Sequence, residues 1–319
     1  MKQSDLFPTP APPEGTLSKL EIQESKHARW ARELEKSGNY RILRRIIPRQ
    51  QEPGPLVEGE KVGVIADVET TGLDHAKDEV IELGMVAFTY DASGKLLRVL
   101  DTFSELRQPS SPIPAEITRL TGITDNMVAG KVIDVDAVVR FIDGASIVIA
   151  HNAKFDRPFC EGFAEAFSFL PWACSLSEID WSGLGFESAK LGYLLNQLSW
   201  FHNGHRASDD CHALLEVLAA ELPGGSGTGL KQLTDAAGKE RHRIWAERSP
   251  FEFKDILKAR GYRWNDGTDG RAKSWWTELG DTESDAELAF LRSEIYQRDV
   301  VIRVQRLTAF DRFRTEFAF

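Results

Sequence analysis

Short apolar runs alternate with helix-like stretches through the middle of the chain. Residues 62–67 are β-branched and apolar until the acids, which predicts a buried strand. Residues 79–90 and 95–106 predict two more strands joined by a hairpin turn. Farther on, helical patterns flank a buried run at 146–150, as in a parallel crossover. The region 61–221 is therefore expected to be an α/β domain, with a mixed sheet flanked by helices.

The rest of the chain divides by composition. Residues 1–14 contain four prolines and predict a disordered tail, and residues 15–60 predict an N-terminal extension with a helix, a strand and a connecting segment. The glycine-rich stretch 222–229 predicts a flexible linker. Beyond it, residues 230–319 predict a small separate α+β module, with a helix, a glycine stop and two strands across 253–276.

Composition narrows the class of protein. The 319 residues are 42% hydrophobic and 28% charged, which is ordinary for a soluble chain. No apolar run approaches the ~18 residues of a membrane span, and the three cysteines have no metal-ligand spacing, so we expect a cytoplasmic protein with reduced thiols. The net charge of −10 argues against a protein that coats nucleic acid by bulk electrostatics. It is compatible with an enzyme whose acids hold cations.

Two acids at the end of the first strand are the first candidate for chemistry. Asp67 and Glu69 are two residues apart, so their side chains share a face, roughly 7 Å apart along the backbone. Two carboxylates on an apolar strand end are costly unless a cation neutralises them, and hard oxygen ligands favour Mg²⁺ or Mn²⁺. The alternative is a strand end with two solvated acids.

Two later acids and a histidine extend this candidate site. Asp156 falls in the first turn of a helix that follows the buried strand, and Asn152 is placed to cap that helix. Asp210 lies beside the apolar stripe of the last helix of the domain, and His205 precedes it by five residues. The sequence thus predicts four acids and one histidine at a common site.

In order and spacing, these motifs resemble those of the DEDDh exonucleases, the DnaQ-like group that includes proofreading subunits, RNase T and oligoribonuclease. The motifs are Asp67-x-Glu69, His151-Asn152-Ala153-x-Phe155-Asp156 and His205-x-Ala207-x-x-Asp210. The segments 70–72, 81–84 and 120–123 match the family as well, and the resemblance covers about half of the chain. It implies a ribonuclease H-like fold and a metal-dependent 3′-to-5′ exonuclease that releases nucleoside 5′-monophosphates.

The resemblance also implies roles for the five residues. Two divalent metals about 3.5–4 Å apart would hold the attacking water and the leaving oxygen, with Asp67 between them and Glu69, Asp156 and Asp210 completing the ligand set. His205 would be the general base, since a neutral imidazole can accept the proton of the water. His202 is a less favoured base because no acid lies five residues after it.

The expected partner is a nucleic acid with a free 3′ end. Single-stranded DNA is favoured over RNA, and the rival functions are an exoribonuclease and a non-catalytic nucleic-acid-binding or clamp-binding adaptor. Leu120 and Ile123 would either stack on terminal bases or pack in the core. The residues that the resemblance assigns to substrate binding are Thr70, Thr71, Gly72, Leu120, Ile123 and Asn152.

Two further stretches suggest binding. Gln3, Leu6 and Phe7 resemble the short peptide by which bacterial polymerase-associated proteins dock on the sliding clamp, the alternative being an apolar pair in a loose tail. In the C-terminal module, Lys and Arg are interleaved with tryptophans at 264, 275 and 276. This pattern suits stacking on single-stranded nucleic acid. A small hydrophobic core covered by the stems of the basic side chains is the favoured alternative, because acids are nearly as many as bases over residues 230–319.

Overall fold

The computed structural model describes residues 25–268 and 270–314. The predicted clamp peptide Gln3–Phe7 lies outside the described residues. The chain divides into two compact units, Met1–Thr234 with Phe313–Phe319 and Asp235–Arg312, called here the first and second units. Among the described residues, every helix is too short or too polar to cross a bilayer.

The first unit begins with an extension that pairs with the body of the unit. Helix α1 (Lys26–Lys36) starts at Ser25, whose hydroxyl accepts a hydrogen bond from the Ala28 N–H at 3.1 Å. Of the strand expected after this helix, only the two residues of β1 (Arg44–Arg45) form a strand, in parallel pairing with Trp200–Phe201.

A five-stranded mixed sheet is the core of the first unit. Its strands are β2 (Lys61–Thr70), β3 (Val80–Tyr90), β4 (Leu96–Leu106), β5 (Ile147–Ala150) and β6 (Trp172–Cys174), in the order β4-β3-β2-β5-β6. Strand β3 is antiparallel to both β2 and β4, whereas β5 and β6 run parallel to β2. This is a ribonuclease H-like sheet, and it confirms the predicted fold class.

Helices cover the sheet. They are α2 (Ala115–Thr121), α3 (Asp125–Val128), α4 (Val135–Ile142), α5 (Ala153–Phe163), α6 (Ser175–Glu178), α7 (Leu191–Gln197) and α8 (Ala207–Ala219), with the short strand β7 (Trp200–Phe201) before α8. Strand β3 is buried along its whole length, which explains why its sequence is mostly apolar without alternation, Glu82 being its one charged residue. The main core includes Met85, Phe167 and Trp172, all with no exposed surface.

The stretch expected to be a flexible linker forms ordered contacts within the first unit. The Thr228 hydroxyl donates to the Gly94 carbonyl at 2.8 Å, and Leu222 and Leu230 are buried. Helix α9 (Gly229–Gly238) follows directly, and the boundary between the two units falls inside it, between Thr234 and Asp235. That boundary lies later in the chain than the linker predicted at 222–229.

The second unit is a four-stranded antiparallel sheet with helices on one face. Its elements are β8 (Arg241–Glu247), α10 (Lys254–Ala259), β9 (Arg263–Asn265), β10 (Ser274–Gly280), α11 (Asp281–Phe290), a π-helical turn (Leu291–Tyr296) and β11 (Arg303–Leu307). The strand order is β11-β8-β10-β9. The helix, glycine stop and strand pair expected across 253–276 are present, with Gly261 in the left-handed region at φ +85°.

Candidate active site

Three of the predicted acids meet at one edge of the sheet. Asp67 and Glu69 project from the end of β2, the central strand, and Asp210 lies in the first turn of α8. One carboxylate oxygen from each of these three residues lies within 4.8 Å of the other two. Three acidic oxygens at this spacing form a suitable donor set for a divalent cation.

The fourth acid lies against the same strand end. Asp156 is in the first turn of α5 and is 3% exposed. Its Oδ1 accepts a hydrogen bond from the main-chain N–H of Val68 at 3.3 Å, which places the carboxylate beside the strand residue between Asp67 and Glu69. The β5–α5 connection therefore delivers Asp156 to the pair on β2, as the sequence pattern predicted.

The electrostatics of this cluster favour a bound cation. Burial and then the neighbouring carboxylates of Asp156 and Asp210 raise the pKa of Asp67 well above its usual range. Burial, followed by Asp210, raises the pKa of Glu69 to about 8, and burial raises the pKa of Asp156 to about 7. Full ionisation near neutral pH is thus costly without positive charge. The all-oxygen donor set fits Mg²⁺ or Mn²⁺.

Two residues of β3, Glu82 and Gly84, hold the start of α8 against the sheet. Glu82 has no exposed surface, and its carboxylate accepts hydrogen bonds from the Arg206 Nη2 at 2.8 Å and from the Ala207 main-chain N–H at 3.1 Å. A Cβ added at Gly84 would lie 2.3 Å from the Ala207 carbonyl carbon, so glycine allows the helix to approach the sheet. These contacts fix the turn of α8 that carries Asp210.

Glu82 and Arg206 are not among the site residues predicted from the sequence. The sequence does contain a sign of this pair, because Glu82 interrupts an otherwise apolar strand. A buried charge needs a partner of opposite charge or a hydrogen-bond donor. The partner is far away in sequence, 124 residues along the chain, and only the fold brings it close.

The two histidines before α8 contact Asp210 in different ways. The His202 Nε2 lies 2.6 Å from Asp210 Oδ1, whereas His205 donates its main-chain N–H to Asp210 Oδ2 at 2.8 Å. The His205 side chain is exposed, and its backbone is in the left-handed region at φ +66°. Sequence spacing favoured His205 over His202, and the structure adds a direct imidazole contact from His202 to a metal-ligand candidate.

His151 and His212 have the surroundings of structural residues. The His151 Nδ1 lies 2.9 Å from the Ser175 hydroxyl, and burial lowers the pKa of His151 to about 4, so its imidazole is neutral. Burial also lowers the pKa of His212. Neutral side chains at these places add no positive charge to the cluster of acids.

The loop after Glu69 is rigidly held. The Thr70 hydroxyl donates to the Gly72 carbonyl at 2.6 Å, and the Thr71 N–H donates to the Glu79 carbonyl at 2.9 Å. A Cβ on Gly72 would lie 2.5 Å from an Asp78 carboxylate oxygen, so glycine permits this packing. The Thr71 N–H is already engaged and does not present a donor to a substrate hydroxyl in this structure.

The structure decides between the two alternatives for Ile123, and it contradicts the helix cap predicted at Asn152. Ile123 has no exposed surface and packs with Ile81, Ile113 and Val128, so it belongs to the core and cannot stack on a base. Asn152 is exposed, and its side chain makes no capping hydrogen bond to α5 within the described part of the chain. The Leu120 side chain is 53% exposed, as contact with a base requires.

The chain is similar to known exonucleases and to DNA polymerase III proteins. The family model described as exonuclease, of the RNase T type, matches residues 64–218. The chain is 32% identical over 166 residues to the DNA polymerase III subunit epsilon of Treponema pallidum. The matched segment covers 49% of this chain and 74% of that protein.

Another relative and a solved structure match different shares of this chain and of their own chains. The chain is 30% identical over 194 residues to the PolC-type DNA polymerase III of Caldanaerobacter subterraneus, covering 57% of this chain but only 13% of that protein. Among solved structures, Exonuclease X in complex with 5′ overhanging duplex DNA has 22% identity and a TM-score of 0.41, covering 55% of this chain and 99% of that one. The chain thus spans a small part of the PolC-type relatives and most of the epsilon subunit.

Proposed function

Because the chain belongs to the DnaQ-like exonuclease family, we propose that it is a 3′-to-5′ exonuclease of the DEDDh type. Its reaction is hydrolysis of the terminal phosphodiester bond of single-stranded DNA, with release of nucleoside 5′-monophosphates. The observation that carries this proposal is the meeting of Asp67, Glu69 and Asp210 within 4.8 Å, with Asp156 hydrogen-bonded to the same strand end.

Asp67, Glu69, Asp156 and Asp210 would hold two Mg²⁺ or Mn²⁺ ions, the cations that suit a set of hard oxygen donors. Such ions, when bound, neutralise the charge that builds on the phosphate and lower the pKa of the attacking water. The protein holds two of these acids through main-chain contacts, because the Val68 N–H on β2 donates to Asp156 and the His205 N–H before α8 donates to Asp210.

His205 is the proposed general base. Its exposed imidazole lies on the loop before α8, next to Gly204, and takes the proton of the attacking water once substrate is bound. His202 has a different role in this proposal. Its imidazole holds the Asp210 carboxylate at 2.6 Å and so orients that ligand.

The choice of DNA is supported by the relatives, which are DNA polymerase III proteins. The experiment is digestion of 5′-labelled and 3′-labelled single strands of DNA and RNA, with and without Mg²⁺. We expect a descending ladder from 5′-labelled DNA and immediate release of labelled mononucleotide from 3′-labelled DNA, both abolished by chelation. Faster cleavage of RNA would establish the exoribonuclease alternative instead, and absence of cleavage with bound substrate would establish the adaptor.

The tail supplies a second proposed contact. Gln3, Leu6 and Phe7 would dock on the bacterial sliding clamp, with the two apolar side chains in a pocket and the tail as a tether. The Leu6→Ala, Phe7→Ala double variant should lose clamp binding in calorimetry and keep its rate on short oligonucleotides. A parent protein that gives no binding heat with the clamp would contradict this contact.

A further inference from the structure

One face of the sheet in the second unit carries a row of two adjacent tryptophan side chains with an arginine at each end. In the strand register Arg303 pairs with Trp245, Trp245 with Trp276, and Trp276 with Arg263. Because cross-strand partners share a face, all four side chains project from the same side of the sheet. We call this row, with Arg243 and Arg271 beside it, the Arg–Trp face.

The opposite face of the sheet packs on the core of the second unit. Trp275 pairs with Trp264 one residue out of phase with the row, and Trp275 packs against the cluster that includes Ile244 and Leu257. The three tryptophans that the sequence grouped together therefore have different roles. Only Trp276 belongs to the Arg–Trp face, and Trp264, 53% exposed, lies on the other side.

The arginines stack on the two indoles of the row. The guanidinium carbons of Arg243 and Arg263 lie 4.9 and 5.4 Å from the Trp276 ring centroid. Those of Arg271 and Arg303 lie 5.6 and 5.7 Å from the Trp245 ring centroid. A guanidinium stacked on an aromatic ring presents its N–H edge in the ring plane, the geometry used to bind phosphate. The N–H edge of Arg243 donates to Glu278, so the exposed Arg263 is the group placed to meet a phosphate.

The charge of this face differs from that of the whole chain. Four arginines surround the two indoles. Glu278 lies 2.5 Å from Arg243 and Glu247 lies 3.6 Å from Arg303, whereas the Arg263 side chain is exposed. Arginine side chains are thus gathered on this face of a protein with a net charge of −10. The complement of this face is an anion with flat aromatic groups, because cations and stacking surfaces occur together.

We propose that the Arg–Trp face binds single-stranded DNA, with a phosphate at the exposed Arg263 guanidinium and bases stacked on Trp276 and on the arginine planes. The choice of DNA rests on the proposed function, since a strand held here is the substrate of the same chain. The Trp245 ring is only 2% exposed because arginine side chains cover it, whereas the half-buried Trp276 ring can be reached by a base.

The test is a binding measurement on the full chain, with the background change Asp67→Asn to prevent cleavage and with chelator present. Fluorescence anisotropy of a labelled 30-nucleotide oligo(dT) is recorded from low to high salt. Arg263→Gln should weaken binding several-fold and reduce the salt slope by about one, as expected for loss of one phosphate contact. The matched control is Arg298→Gln, which removes an exposed arginine that lies outside the sheet.

A second pair of variants tests the stacking. Trp276→Leu should weaken binding roughly tenfold, whereas Trp264→Leu, at the more exposed indole on the opposite face, should bind as the parent does. Thermal unfolding of each variant shows whether it is folded. If Trp276→Leu does not fold, the affinity and salt slope of Arg263→Gln alone test the proposal. Unchanged affinity and salt slope in both Arg263→Gln and a folded Trp276→Leu would overturn the proposal.

Two controls separate this inference from the proposed function. Oligo(U) of the same length should bind more weakly than oligo(dT), and tighter binding of oligo(U) would overturn the choice of DNA. Cleavage of a very short oligonucleotide by the chain with an intact Asp67 tests the active site alone. Loss of that cleavage would contradict the proposed function, while the anisotropy series reports only on the Arg–Trp face.

Discussion

The carboxylate of Glu82, buried in strand β3, accepts hydrogen bonds from the Arg206 guanidinium and from the N–H of Ala207, the first residue of α8. Asp210 lies one turn farther along that helix. A residue with no direct contact to the reacting atoms therefore determines where a metal-ligand candidate lies. The carboxylate of Glu82 also adds negative charge near Glu69 and helps to raise the pKa of that residue.

We predict that Glu82→Gln lowers both stability and activity. The change keeps the shape of the side chain but removes the charge that faces Arg206, and the free energy of unfolding should fall by about 1–3 kcal/mol. The start of α8 then shifts, and kcat should fall by about tenfold or more. Urea unfolding and steady-state kinetics measure the two effects. Glu105→Gln, at an exposed glutamate on the neighbouring strand β4, is the control and should change neither.

The cluster of acids predicts an unusual pH dependence. In the folded metal-free protein the pKa of Glu69 is about 8 and that of Asp156 about 7, both far above the values of unfolded carboxyls. As pH rises, these carboxyls lose their protons at lower pH in the unfolded state than in the folded state. The free energy of unfolding therefore falls between about pH 4 and pH 8. Thermal melts in chelator should show a lower Tm at pH 8 than at pH 5.

Added Mg²⁺ should restore most of the loss at pH 8, because the cation binds the ionised acids of the folded state. Glu69→Gln should flatten the decline in chelator, since one of the groups that titrate is removed. An equally steep decline in Glu69→Gln and the parent would show that other groups cause the pH dependence.

We predict that substitution of His205 and substitution of His202 impair activity in different ways. His205→Ala should reduce kcat by roughly 10²–10⁴-fold, the range for loss of a general base, and extra Mg²⁺ should not restore it. His202→Ala removes the imidazole 2.6 Å from Asp210 Oδ1, so its main effect should be a higher Mg²⁺ concentration for half-maximal rate. Titration of activity with Mg²⁺ distinguishes the two. A kcat defect larger in His202→Ala than in His205→Ala would assign the base to His202.

Local patterns made the fold and the acids predictable. The run before Asp67 and the β5–α5 connection before Asp156 each specify a strand end, and strand ends gather at one edge of a sheet. Contacts between distant segments were not predictable in this way. Whether Ile123 faces a base or the core depends on the packing of α2 and α3 against β3, and no periodicity in a turn-rich stretch encodes that.

The same limit applies to His202 and to the stretch 222–229. Spacing ranks His205 above His202, but it contains no information about which imidazole the loop turns toward Asp210. Glycines at 224, 225 and 227 suggested flexibility, and in the structure their positive φ values of 72–76° form a tight turn held by hydrogen bonds. Glycine permits both outcomes, and the surrounding contacts decide between them.

The N-terminal extension braces the loop that carries both histidines. The Arg44 N–H donates to the Ser199 carbonyl at 2.9 Å, and the Ile46 N–H donates to the Phe201 carbonyl at 3.0 Å, directly before His202. Arg49 then forms two hydrogen bonds to the Glu216 carboxylate on α8, at 2.6 and 2.8 Å. The extension therefore connects the residues before the loop to the helix after it.

We predict that Arg49→Gln loosens this brace and increases the mobility of the loop. The pair is partly buried and bidentate, so its loss should lower the free energy of unfolding by about 1–2 kcal/mol. Hydrogen exchange of the amides at 199–206 should become faster, and kcat should fall several-fold while the Mg²⁺ requirement stays the same. The matched control is Arg45→Gln, an exposed arginine on the same segment. Equal exchange rates in Arg49→Gln and Arg45→Gln would show that the pairing of β1 with β7 holds the loop without help from Arg49.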